Sequence, residues 1–127
     1  MRPAQAYLAI RIAMMAGLLL FGGVSWFLHQ RPEWQPPRPE VTDGLASIGR
    51  VMWVAAAAAL TVLFFQHRKA DTLVRASTLA IVAWSVGEAL ALFGVVYFYL
   101  AAVPAWYVAG MLAMAITFVA FPPPAPR

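Results

Sequence analysis

Residues 83–99 read AWSVGEALALFGVVYFY, an apolar run with a single glutamate, Glu88, near its middle. A membrane-spanning helix needs about 20 mostly apolar residues, and extending the run back to Ala76 supplies them. At a rise of 1.5 Å per residue, Glu88 lies about 18 Å from a start at Ala76, past the middle of a hydrocarbon layer roughly 30 Å thick. Its short side chain reaches neither surface. A charged group at that depth costs on the order of 2.5–3.5 kcal/mol, so this carboxyl is expected to be protonated, paired, or turned to a polar cavity.

The rest of the chain shares this character. Of its 127 residues, 11% are charged and 63% hydrophobic, where a soluble domain carries about 25% charged residues. The mean hydropathy is +0.75. Four segments, roughly 6–28, 45–66, 76–99 and 103–121, approach spanning length. The expected fold is therefore all-α, a single membrane domain over 1–127 with four transmembrane helices in an up-down bundle. The basic start and apolar stretch at the N-terminus resemble a secretory signal. The apolar part is too long for one and no clear cleavage site follows, so a retained helix is expected.

Between the first two segments, HQRPEWQPPRPEVTDG (29–44) carries Pro32, Pro36, Pro37 and Pro39 and reads as an extended outer loop. Asp43 is a candidate N-cap for the second helix. Pro104 suits the first turn of the fourth, and the tail 122–127 reads as disordered. Arg2, Arg11, Arg68, Lys69, Arg75 and Arg127 fall on one side, against Arg31, Arg38 and Arg50 on the other. The side with six is expected to be cytoplasmic, with both termini inside, as in a bacterial cytoplasmic (inner) membrane. Trp26, Trp53, Trp106 and Tyr107 fall near the outer boundary and read as interface anchors.

Three residues are candidate partners for Glu88. Ser85 and Trp84 share its helical face at i−3 and i−4. Arg11 is the one basic residue well inside the first segment, and it either pairs with Glu88 or snorkels to the surface. Ala80, Ala83, Gly87, Ala91 and Gly94 recur at spacings of three and four, a small-residue stripe that lets a second backbone approach closely. Ala6, Ala9, Ala13, Ala16 and Gly17 form a similar line on the first helix.

The run GEALALFGVVYF resembles the carboxylate-bearing helix of subunit c, the proteolipid of rotary ATP synthases, with residues 51–99 following that family's helical hairpin. The connection QHRKAD differs from the Arg-Gln/Asn-Pro loop of the family. The resemblance implies that Glu88 is a proton- or sodium-binding carboxylate.

The composition excludes other chemistry. Without cysteine there is no disulfide, thiolate nucleophile or Cys-type metal site. His29 and His67 fall at opposite ends of helices, so no shared metal site is expected. No HExxH, GxSxG, P-loop or dinucleotide motif occurs, and an enzyme is not expected. The pI near 10.1 comes from basic residues beside apolar runs, which points to anionic lipid headgroups rather than nucleic acid. No cofactor is indicated, although a pigment, quinone or bound lipid would find aromatic rings to lie against. The expected role is a small non-enzymatic subunit that packs on a larger membrane protein complex, respiratory, photosynthetic or rotary. The competing role is translocation of protons or sodium through Glu88.

Overall fold

The computed structural model describes residues 3–122. They form four helices: α1 (Pro3–His29), α2 (Pro39–Arg68), α3 (Leu73–Ala101) and α4 (Ala105–Ala120). α1, α2 and α3 are long and apolar enough to cross a membrane. α4 has 16 residues, so it is about 24 Å long and falls short of the roughly 20 residues that a span takes. Four spanning segments were expected; three long helices and one short one are observed. The expected disorder of the tail lies outside the described residues from 123 onward.

Helix ends account for the differences in length. α2 begins at Pro39 rather than near residue 45, because proline at N1 is pre-set for a helix and Glu40 complements the positive helix start. Asp43 consequently sits inside the helix, Arg38 is the N-cap, and the connection between α1 and α2 shrinks to residues 30–38. α3 starts at Thr72, whose hydroxyl accepts from the Arg75 N–H at 3.2 Å. It stops at Ala102, which adopts the left-handed conformation (φ 58°) and donates its N–H to the Phe98 carbonyl. Pro104 follows and serves as the N-cap of α4.

α3 is the central element and packs on each of the other three helices. It runs antiparallel to α4 along a seam of small residues. A side chain begun at Gly110 would meet the Leu90 carbonyl oxygen at 2.6 Å, and one begun at Gly87 would meet the Met114 Cα at 2.9 Å. At Gly94 it would run into the Trp106 backbone. Ala80, Ala83, Gly87, Ala91 and Gly94 are all buried.

α1 lies parallel to α3 with a constant offset. Tyr7 hydrogen-bonds Ser77 and His29 hydrogen-bonds the Tyr99 carbonyl, each pair 70 residues apart. The face of α1 turned inward carries Tyr7, Arg11, Met14, Leu18, Gly22, Ser25 and His29. Its line of small residues lies elsewhere: Ala9, Ala13, Ala16 and Gly17 are exposed. The bulky line wins because it supplies hydrogen bonds and fills the groove between α3 and α4.

α2 is antiparallel to α3 and the least covered, with only Gly49 and Ala56 buried. Gly49 receives the ring of Phe93. Leu60, Leu63 and Phe64 close over a cluster of Ala80, Ala83, Trp84 and Phe121 at the other end.

Candidate functional site

Glu88 sits on the flank of α3 that faces α1. Applying the same 70-residue offset sets it level with Leu18. Trp84 precedes it by one turn and packs against Tyr7 at 6.0 Å between ring centroids; Ala91 and Val95 follow and pack with Leu18. Glu88 itself is half-buried, and among the described residues its carboxyl has no hydrogen bond and no ion pair. Gly17, beside Leu18 on α1, has open space where a side chain would begin.

The three candidate partners are committed elsewhere. The Ser85 hydroxyl donates to the Ile81 carbonyl of its own helix at 2.9 Å. The Trp84 indole N–H donates to the Phe121 carbonyl at 3.0 Å. Arg11 donates to the Phe118 carbonyl at 2.5 Å, with its guanidinium 4.6 Å from the Trp84 ring and 5.3 Å from that of Phe118. Arg11 does not pair with Glu88; it is held at the end of another helix. The cause is the end of α4: the last carbonyls of a helix have no partner within it, and α4 stops beside α1 and α3. A cation there also meets the negative end of the helix dipole, while the aromatic faces on either side attract the guanidinium. Arg11 and Trp84 together therefore cap α4. The Arg11 Nε is buried and has no hydrogen bond.

The aromatic residues separate into two groups. Trp26 is 60% exposed, in keeping with contact to lipid. Trp53 is half-buried and its indole nitrogen is enclosed without a partner. Trp106 packs against Phe93 and Tyr97, at 5.7 and 5.9 Å between centroids. Tyr107 departs from the anchoring role expected of it. Its ring stacks on Phe98 and its hydroxyl reaches across to donate to the Leu18 carbonyl at 2.9 Å. Gly22 makes this possible, since any side chain there would collide with the tyrosine ring.

At the opposite end of the bundle from the Arg11 cap, the C-terminal ends of α1 and α3 meet the α1–α2 connection around His29. Its ring lies edge-on to Trp34 and Phe98, with centroids 4.9 and 5.0 Å away. Next to it is a cavity of about 570 Å³ lined by Leu28, His29, Arg31, Glu33, Trp34, Tyr99 and Leu100. His29, expected from sequence only to lie at a helix end, is half-buried there. His67, at the far end of α2, packs on Phe121 at 5.4 Å. Among the described residues no three His, Asp or Glu side chains gather as a metal site would require.

No family model matches the chain, nor does any curated protein or solved structure.

Proposed function

We propose that this chain is an integral membrane protein of a bacterial cytoplasmic membrane, with both termini on the cytoplasmic side. In this reading it is a non-enzymatic subunit that packs on and stabilises a larger membrane complex of the respiratory, photosynthetic or rotary kind. The observation that carries the reading is Glu88, an acid on an apolar helix with no polar partner among the described residues of its own chain. In hydrocarbon such a group is tolerated when something satisfies it. Glu88 would hydrogen-bond a neighbouring subunit whose helix lies along the α1–α3 groove. The small-residue seam of α3 does not argue for a partner, since α4 of the same chain fills it. The open line Ala9, Ala13, Ala16 and Gly17 on α1 does offer close approach near the level of Glu88.

The test is isolation in mild detergent from the native membrane. The proposal expects a larger membrane protein in fixed stoichiometry, lost on Glu88→Leu while helix content and the α4 cap persist. A homogeneous self-assembly, or a partner retained equally by Glu88→Leu, overturns it.

A second reading draws on the half-exposure of the same carboxyl: an ion carrier resembling subunit c, with Glu88 as the binding group. It requires a proton or sodium flux in reconstituted vesicles that Glu88→Gln abolishes without loss of assembly.

A further inference from the structure

We propose that the cavity beside His29 binds a phospholipid headgroup bearing a primary ammonium, that is, a phosphoethanolamine lipid. This stands apart from the reading of Glu88, which lies on the flank of α3 well away from this end of the bundle.

The cavity's chemistry is rich in acceptors with one cation. α1 ends at His29 and α3 at Ala101, so the negative ends of two helix dipoles fall together here. Glu33 adds a carboxylate. His29 closes the wall behind them, its Nε2 held 2.9 Å from the Tyr99 carbonyl. An ammonium supplies hydrogen-bond donors and is attracted both by the carboxylate and by the two helix ends.

Arg31 is the single cation lining the cavity, with its guanidinium 5.8 Å from the Phe27 ring. Among the described residues Arg31 and Glu33 do not pair with each other, so both remain available. A guanidinium suits a phosphate oxygen pair. Leu28, Trp34 and Leu100 complete the wall with apolar surface, against which the glycerol and first acyl carbons would lie. Cation and acceptors side by side fit a zwitterion better than a lipid of net negative charge. The volume of about 570 Å³ falls within the usual range of small-molecule sites, about 300–1,000 Å³.

Native mass spectrometry of the purified full chain tests this with phosphatidylethanolamine, phosphatidylcholine and phosphatidylglycerol of identical acyl chains. The ethanolamine lipid is expected to be retained about tenfold better than the choline lipid, the ratio expected for one charge-assisted hydrogen bond that a trimethylated ammonium cannot donate. Glu33→Gln should erase that preference, and Arg31→Gln should weaken retention of all three. Both side chains are exposed, so circular dichroism is expected to show unchanged helix content. Soluble phosphoethanolamine identifies the source: failure to displace the lipid at equal concentration supports a membrane ligand held partly by its acyl chains, and displacement overturns it. Equal retention of the three lipids, or a preference that survives Glu33→Gln, overturns the headgroup assignment.

Discussion

Helix α4 has 16 residues and α2 has 30, yet α4 sets Gly110, Met114 and Thr117 wholly against its neighbours whereas α2 buries only Gly49 and Ala56. Apolar length does not predict which helix is held. In a lipid environment an apolar helix gains little by leaving the lipid, so association follows from close backbone approach and from polar contacts. α4 has both. Its backbone touches α3 at Gly87, Gly94 and Gly110, and its last carbonyls are served by Arg11 and Trp84. α2 meets α3 through side chains, with Phe93 seated on Gly49, and leaves Val51, Val54, Ala55, Ala57, Ala58 and Ala59 exposed.

The contrast can be broken most forcefully at the seam. Gly94→Val and Gly110→Val put branched side chains into backbone that cannot yield, and each is expected to cost about 3 kcal/mol in SDS-driven unfolding from mixed micelles. Gly49→Ala meets only rings that can turn, and should cost about 1 kcal/mol in the same assay. Equal losses at Gly49 and Gly110 would mean that the two helices are held alike.

The polar part of the contrast is smaller. Arg11→Leu leaves the Phe118 carbonyl without its donor inside the bundle and is expected to cost about 2 kcal/mol. Trp84→Phe keeps the ring while removing the N–H to Phe121, with an expected loss of about 1 kcal/mol. Amide hydrogen exchange should locate both losses at residues 117–121. On the exposed face of α2, Ala58→Leu is expected to change stability by less than about 0.5 kcal/mol, measured by the same unfolding assay.

Much of this was legible in the sequence because it depends on local spacing. Apolar runs mark all four helices, though not that the fourth is short, and the intervals between Ala80, Ala83, Gly87, Ala91 and Gly94 describe one face of α3 whatever covers it. The partners of individual polar groups were not legible, since they depend on where a different helix ends. Arg11 acts on Phe118, 107 residues away, because α4 stops beside it. Tyr107 turns inward because Gly22 leaves room on α1. Trp84 sits one turn from Glu88, the spacing of a helical hydrogen-bonding pair, yet the free carbonyl of Phe121 is the better acceptor for its N–H. Taking Arg11 and Trp84 away from Glu88 is what leaves that carboxyl open.

The central claim, that Glu88 is satisfied from outside its own chain, is tested most directly by cross-linking from beside it. A photoreactive amino acid at Ser85, exposed and one turn away, would be activated in native membranes and its adducts identified by mass. The account predicts one dominant adduct with a different membrane protein, diminished when Glu88→Leu is introduced together with the probe. Adducts confined to lipid, or a dominant adduct unchanged by Glu88→Leu, would contradict it.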